Sequence, residues 1–413
     1  MPDTPPLSRR SLLSMLGAFA GSGAITIAGV GEADESAAGN GVHTHERVGV
    51  LYQANEGPWG RLQYYYFYLE APTHLVESFP LRSPRTRWAV PLDRQESIRT
   101  LISTTPMAPE HRAALLDVDN SGEAEGLFTI FPPPDVLLNL NPAARSTLYN
   151  FLSSYAVNAD IKDPVRVLSG SVDEWAAGTT IRQEIIDAMK KMVFYHADLM
   201  LFADFPYLIS LANSEEEIRA LQRHSSRVRS MVLRLDLGSE AEIEGVLRYW
   251  TTGLGLRRKE VESLIRSSML TPGVPGLDIV HLLPPLPRKL LYTYPDISMA
   301  MDGVMPDCHW TALNFYNYNP EPIYLDEYFA ASGLLGDFDQ VDAPYNYGDI
   351  LVFVTEKATA HHSCVYLADN IVYTKNGRSI YAPWMIAHLA DVSSIYVEAD
   401  GLPLSIQGYR KKP

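Results

Sequence analysis

Apolar and polar positions follow two different periods along this 413-residue chain. In residues 181–270 the apolar positions recur every three or four residues, which is typical of amphipathic helices. SEEE at 214–217 and SEAE at 239–242 are capping boxes, in which a Ser and a Glu three residues later satisfy the first amides of a helix. We therefore expect about four packed helices in this region. His196 lies on an apolar helical stripe, which predicts a core position for it. The residues of this stripe are Ile185, Ile186, Met189, Met192, Val193 and His196.

The preceding region, residues 47–180, shows mixed patterns. RVGVLYQ and LQYYYFYLEA are rich in β-branched and aromatic residues and predict strands. PEHRAALLDV and NPAARSTLYNFLSSYAV predict helices, the second with Asn141 as its N-cap and Pro142 in its first position. Residues 117–128 begin like a calcium-binding loop, but Phe128 stands where a bidentate Glu is required, so a turn is predicted.

The last third of the chain predicts a separate domain. Prolines are dense in residues 271–294, and proline at this density cannot continue a helix, so we interpret the segment as a linker. Residues 295–413 contain a continuous apolar strand, ILVFV, and a β-hairpin with strands at 362–367 and 371–375. The pattern predicts an α+β fold, with this domain preceded by a helical region and a mixed α/β region of unknown role.

The N-terminus indicates export. SRRSLLSMLGAFAGSGAITIAGVG places twin arginines before an apolar stretch, as in a twin-arginine signal, and a small-residue cleavage site ends at Ala33. We expect residues 1–33 to be this signal and residues 34–46, which contain two histidines, to be a solvated linker. A periplasmic, envelope or secreted location follows, and contact with a membrane only through an uncleaved signal.

The composition excludes some classes of function. The hydrophobic fraction is 46%, as in globular proteins, and the formal net charge is −15. This balance argues against a nucleic-acid partner, because phosphate binding needs clustered Lys and Arg. The two cysteines, Cys308 and Cys364, cannot form a disulfide scaffold.

The sequence PDCHWTALNFYN predicts a helix that begins at a cysteine. Asp307 is a good N-cap, and Cys308 follows in the first turn, where free amides and the helix dipole favour an anion. We therefore expect the pKa of the Cys308 thiol to be lowered, as in nucleophilic cysteines. A buried structural thiol is the alternative.

A histidine in the hairpin is the candidate base. Strand alternation places His362 on one face together with Cys364 and Tyr366. A cysteine on a helix and a histidine on a strand can form a thiolate–imidazolium pair, with a third group orienting the ring. The candidates for that group are Thr374, Lys375 and Asn376. We favour Asn376, because a charged lysine cannot accept a hydrogen bond.

These motifs resemble the NlpC/P60 cysteine peptidases over residues 295–395. Asp307-Cys308 matches the family's Asp-Cys helix, and the segment 348–353, GDILVF, matches its Gly-Asp strand. The segment 362–367, HSCVYL, matches its histidine strand. The resemblance implies a papain-like domain, with Cys308 as nucleophile and His362 as base, that hydrolyses amide bonds in cell-wall peptides.

The chain departs from the family at three positions. His309-Trp310 follow the cysteine where Ser-Gly is usual, and Cys364 stands where a glycine is usual. The family's third residue, often a histidine, has no match, because Tyr373 and Thr374 occupy that register. Residues 47–290 match no module.

The predicted function is therefore an exported cysteine hydrolase that acts through a thioester on peptidoglycan stem peptides, with no cofactor or metal. Alternatives are an inactive papain-like domain that binds a wall peptide or protein partner, and an acyltransferase on the same scaffold. A zinc site at Cys308, His362 and Cys364 lacks the usual short ligand spacings. A Cys308–Cys364 disulfide that silences the nucleophile is a further hypothesis.

Overall fold

The computed structural model describes residues 46–78, 81, 83–237, 242–252, 258–398 and 401–413, and the backbone of residues 25–26. The strands in chain order are β1 (Ile25–Thr26), β2 (Tyr52–Gln53), β3 (Leu62–Leu69), β4 (Trp88–Pro91), β5 (Ser121–Ala124), β6 (Leu127–Ile130), β7 (Val165–Arg166), β8 (Phe194–His196), β9 (Leu199–Phe202), β10 (Val228–Asp236), β11 (Gly276–Asp278), β12 (Phe338–Val341), β13 (Ile350–Val354), β14 (Thr359–Ala368), β15 (Ile371–Lys375), β16 (Trp384–His388) and β17 (Ser405–Lys411).

The helices in chain order are α1 (Thr73–Glu77), α2 (Gln95–Thr104), α3 (Pro109–Leu116), α4 (Pro134–Asn139), α5 (Pro142–Ser153), α6 (Ala159–Lys162), α7 (Val172–Ala176), α8 (Gln183–Lys191), α9 (Phe205–Ser210), α10 (Glu215–Ser225), α11 (Ile243–Trp250), α12 (Arg258–Leu270), α13 (Pro285–Leu290), α14 (Ile297–Met301), α15 (Cys308–Leu313), α16 (Glu327–Asp337) and α17 (Leu389–Ile395). The fold is α+β with antiparallel sheets, as predicted.

The chain divides into two compact units. Among the described residues, one unit contains those from Glu70 to Arg227, and the other combines those up to Leu69 with those from Val228 onward. This division differs from the expected boundaries at residues 180, 270 and 294. The reason is that β3 pairs along its whole length with β10, which joins residues far apart in sequence into one sheet.

The unit of residues 70–227 contains α1–α10 and two three-stranded sheets, β4-β6-β5 and β7-β9-β8. Asn141 caps α5 by accepting from the Ala144 amide, with Pro142 as the first helical residue, which confirms that prediction. The calcium-like segment forms a turn in which Asp117 accepts from the Asp119 amide. Ser214 caps α10 as predicted by accepting from the Glu217 amide, whereas the Glu217 carboxylate accepts from the amide of Asn213, one residue before the expected partner.

The region 181–270 is less helical than its pattern predicts. It holds α8–α12 but also β8–β10, and His196 ends β8 instead of lying on a helix. In β10 the buried residues Met231, Leu233 and Leu235 recur with the two-residue period of a strand. Of the second capping box, only Glu242 lies within the described residues.

The second unit is built on two antiparallel sheets. One has the order β12-β17-β13-β14-β15-β16, with β1 paired to the start of β14, and the other has the order β11-β10-β3-β2. In β13, Ile350, Val352 and Val354 belong to one apolar cluster, whereas Leu351 and Phe353 belong to a second. The central strand is therefore covered on both faces.

The hairpin next to this strand confirms its prediction. β14 and β15 pair antiparallel, with Val365 opposite Tyr373, and Asp369-Asn370 form the turn with positive φ angles. β14 begins three residues earlier than predicted, at Thr359, and a register shift interrupts its pairing with β13 beside Phe353.

The proline-rich segment is not a linker. Ile279–Leu282 form a turn of 3-10 helix, and α13 begins after Leu283 and Pro284. Four leucines of this segment are buried in the second unit: Leu282, Leu283, Leu286 and Leu291. Proline is compatible with the first turn of a helix because the amides there have no helical partner. Within the described residues, no helix is long and apolar enough to cross a membrane.

Candidate active site

The two carboxylate oxygens of Asp307 bind different partners, one at the start of α15 and one in a loop. Its Oδ1 accepts from the Trp310 amide at 2.8 Å, which confirms the predicted N-cap. Its Oδ2 accepts from Arg378 Nε at 3.0 Å, and Asp307 itself is only 2% exposed. A loop after β15 is thus tied to the residue that precedes Cys308.

The Cys308 thiol is buried and neutral. Burial raises its pKa to about 12, and the negative charge of Asp307 acts in the same direction. The amides of Ser363 and His309 donate to the sulfur and, with the positive charge of Lys375, lower the pKa by less. The predicted lowering is therefore wrong for this structure, because desolvation outweighs the amides at the start of a six-residue helix.

The His362 imidazole is also buried and neutral. Its ring stacks on Tyr396 with centroids 4.0 Å apart, and the edge of Phe353 lies against it at 5.4 Å. Burial lowers the pKa of His362 well below its ordinary value, and nearby His309 acts in the same direction. The resting pair is thus a thiol and an imidazole, not a thiolate and an imidazolium.

Thr374, not Asn376, holds the His362 ring. Thr374 Oγ1 lies 3.0 Å from His362 Nε2 and donates its single proton to Asn376 Oδ1 at 3.1 Å. Since a hydroxyl has only one proton to donate, His362 Nε2 carries a hydrogen and donates to Thr374. Nδ1 is then the basic nitrogen, and this buried atom has no hydrogen-bond partner among the described residues. Asn376 acts on the ring only through Thr374.

The structure brings Cys308 close to the strand of His362 without joining the two side chains. No hydrogen bond between the thiol and the imidazole is present among the described residues. The sulfur instead accepts from the amide of Ser363, the residue that follows His362. This amide lies beyond the last β14–β15 pair, Val365 with Tyr373.

The two candidates also differ in the surfaces on which they pack. Trp310 and Leu313 of α15 belong to the apolar cluster on one face of the sheet. Phe353 and Tyr396, which contact the His362 ring, belong to or pack against the cluster on the other face. Contact between thiol and imidazole therefore requires a movement at the end of the sheet.

Cys364 packs as a small apolar residue. It is 1% exposed in the same cluster as Leu351 and Tyr366, and burial raises the pKa of its thiol well above the ordinary value. Both cysteines are free thiols, so the structure does not contain the hypothesised disulfide.

The Gly-Asp motif before β13 shapes a turn. Gly348 has a φ of +89°, and Asp349 accepts from the Asn346 amide and from two nitrogens of Arg410. A side chain at position 348 would overlap Tyr316, which explains the glycine. These residues fix β13 and do not enter the chemistry.

The sequence predicts neither His309 nor Ser363 as a site residue, and it offers Lys375 only as a candidate to orient the His362 ring. His309 Nδ1 lies 2.8 Å from Ser363 Oγ, and both line a small cavity with room for about one water molecule. Lys375 is fully buried although it is a lysine. Strand alternation, which puts Ser363 and Lys375 on the face opposite His362 and Thr374, is the signal that could have found them.

No protein-family model, curated protein or solved structure matches this chain. The site is thus interpreted from its own residues. Among the described residues, no group of three or more His, Cys, Asp or Glu side chains could hold a metal ion. The zinc site that was considered at Cys308, His362 and Cys364 therefore has no support in the arrangement of these side chains.

Proposed function

We propose that the chain is an exported cysteine hydrolase with an NlpC/P60-like, papain-like C-terminal domain that cleaves amide bonds in cell-wall peptides. The observation that carries the proposal is the state of His362. Thr374 fixes its Nε2–H, and its basic Nδ1 has no hydrogen-bond partner in the part of the chain that the structure describes. A general base needs this combination of an oriented ring and a free lone pair.

In the proposed mechanism, His362 transfers the protons of both the attack and the hydrolysis step. Once a movement at the end of the sheet has brought the thiol and the imidazole together, His362 Nδ1 takes the thiol proton as the Cys308 sulfur attacks the carbonyl carbon of the scissile amide. The imidazolium then gives this proton to the leaving amine, and a thioester remains on Cys308. The same nitrogen next removes a proton from water, whose oxygen attacks the thioester. The C–S bond then breaks to release the acid, and the imidazolium returns its proton to the Cys308 sulfur.

Backbone amides supply the charge stabilisation that this mechanism needs. The amides of Ser363 and His309 already donate to the Cys308 sulfur. Fixed N–H groups in a buried site stabilise developing negative charge without reorganisation. We infer that they support the thiolate as it forms.

The buried resting site must open before a substrate can enter. Cys308 is 1% exposed and His362 is fully buried, and Tyr396 stacks on the imidazole. Tyr396 directly follows the end of α17, and the Gly401 amide donates to the nearby Glu398 carbonyl. Displacement of Tyr396 would expose the histidine ring and leave α15 in place.

We further propose that the twin-arginine-like N-terminus directs export, because the substrate lies outside the cytoplasm. Apart from the two residues of β1, this signal lies outside the described residues. An N-terminal sequence of the exported protein that begins after Ala33 would support this proposal.

The test is cleavage of purified peptidoglycan stem peptides by the full chain, followed by mass spectrometry of the new amine and acid. We expect Cys308→Ala and His362→Gln to abolish cleavage and Cys364→Ser to retain it. Cleavage that persists in Cys308→Ala would contradict the proposal. A product joined to an added amine would indicate acyl transfer on the same thioester.

The second candidate is a peptide-binding domain without catalysis. The raised pKa of Cys308 and the burial of both candidate residues favour it. Calorimetry with the same peptides separates the two functions, since a binder would retain affinity in Cys308→Ala and release no product in any variant.

A further inference from the structure

Lys375 is the fully buried lysine of the described residues and belongs to the second unit. It is the last residue of β15, and its side chain is 0% exposed. Its Nζ donates to the carbonyls of Gly377 and Ser379 at 2.7 and 3.1 Å. Burial of an ammonium group is costly, so a lysine in this place needs a reason.

The contacts of Lys375 connect it to the helix of Cys308 by two routes. The carbonyls that accept from Nζ flank Arg378, whose Nε donates to the cap residue Asp307. The Lys375 Nζ also lies 5.7 Å from the centre of the Trp384 ring, and Trp384 Nε1 donates to Thr311 of α15 at 3.0 Å. The lysine is therefore linked to the start of α15 both through Arg378 and through Trp384.

Two ionisable groups act on the charge of the Lys375 side chain. Asp307 and Cys308 are the titratable groups that act on it, and both favour its charged form, although burial lowers its pKa to about 7. Arg378 neutralises part of the charge of Asp307 from the same loop, and Glu327 of α16 in turn lies 3.7 Å from Arg378. Cys308 is thus the one group in this cluster that lacks a cationic partner of its own.

We propose that Lys375 is a positioning residue that stabilises the Cys308 thiolate through its charge, in place of an imidazolium. The inference rests on Cys308 being the nucleophile of the proposed hydrolase. His362 then accepts and returns the proton, while the positive charge of Lys375 acts on the sulfur through the attack. No bond to Lys375 forms or breaks.

The test measures thiolate formation instead of hydrolysis, so its result can be interpreted even if no substrate is cleaved. Alkylation of Cys308 by iodoacetamide is followed against pH in the full chain with Cys364→Ser as background. Lys375→Gln keeps an N–H donor for the loop carbonyls but loses the charge, Lys375→Met loses both, and Lys375→Arg keeps both. Below about pH 7, where Lys375 carries its charge, we expect about a tenfold slower reaction for the Gln and Met variants, which corresponds to about one pKa unit of the thiol.

The Arg variant should stay within about threefold of the parent protein, because the charge remains. Equal rates in the parent and the Gln variant, with both proteins folded by circular dichroism, would overturn the proposal and leave Lys375 as a loop anchor. If the variants do not fold, the absorbance of the thiolate near 240 nm in the parent protein decides. If Cys308 and Lys375 titrate as a coupled pair, the thiolate absorbance rises in two steps. A single step near pH 12, the pKa of the Cys308 thiol, would overturn the proposal.

Discussion

The Thr374 hydroxyl joins the His362 ring to Asn376, with one hydrogen bond of 3.0 Å to Nε2 and one of 3.1 Å to Oδ1. All three residues lie on paired strands or directly after them, so the sheet fixes the orientation of the imidazole. The hydrogen bonds of the Thr374 hydroxyl therefore fix the tautomer of His362, with the proton on Nε2.

Removal of the Thr374 hydroxyl should destabilise the protein. In Thr374→Val the side chain keeps its shape, but the buried Nε2–H loses its acceptor. We expect the free energy of unfolding to fall by about 1–3 kcal/mol, measured by urea denaturation. Thr374→Ser is the matched control and should lose less than half as much. Equal losses in the two variants would show that the methyl group, not the hydroxyl, matters.

The two oxygens of Asp307 can be tested separately. Asp307→Asn keeps an oxygen for the Trp310 amide but removes the charge that faces Arg378, whereas Asp307→Ala removes both contacts. We expect the Ala variant to lose about 1–2 kcal/mol for the cap alone and the Asn variant to lose less. Thermal unfolding of both variants at one pH checks the order, and the reverse order would exclude capping as the main role.

Cys308 should react slowly in the folded protein. Since burial raises the pKa of its thiol to about 12, the thiolate fraction near pH 8.5 is small, while an unfolded cysteine ionises near 8.5. With Cys364→Ser as background, we expect iodoacetamide to alkylate the native protein at least about tenfold more slowly than the urea-unfolded protein. Equal rates would mean that the site is open and the thiol ionised.

Lys375 should make stability rise with pH. The pKa of this lysine is about 7 when folded and near 10.5 when unfolded, so between these values the unfolded state binds more protons. The free energy of unfolding should therefore increase from about pH 7 to about pH 9.5, relative to a Lys375→Met variant measured in parallel. A constant difference between the two proteins over this range would contradict the lowered pKa.

His362 should make the protein sensitive to acid. Its folded pKa lies well below the ordinary 6.5, so below about pH 6.5 the unfolded state binds more protons and stability falls. We expect His362→Gln to remove part of this loss between about pH 6.5 and pH 4.5, as measured by urea denaturation. His361→Gln, one residue away on β14, is the control. The same acid dependence in parent and His362→Gln protein would exclude His362 as its source.

Local patterns predicted the elements around the candidate site. The cap at Asp307, the strand β13 and the hairpin at Asp369-Asn370 are all set by residues close in sequence, through capping, continuous apolar character and turn chemistry. The choice between Thr374 and Asn376 needed the side-chain conformations, because both lie on the face of His362.

Long-range features could not be predicted in the same way. The pairing of β3 with β10 depends on residues that are more than a hundred positions apart, and no local pattern encodes it. The raised pKa of Cys308 depends on burial by several elements, whereas the helix argument considered only one. The helical period assigned across residues 181–270 concealed the two-residue period of β10.

The pairing of Leu69 with Val228 has a consequence for protein engineering. These residues lie opposite each other at the ends of β3 and β10, and residues 70–227 leave and return to the second unit at this point. A two-residue turn such as Asn-Gly could join them as an ordinary hairpin and omit the intervening unit. The resulting minimal protein would retain every residue of the candidate site. Its comparison with the full chain would show what the inserted residues contribute to substrate choice.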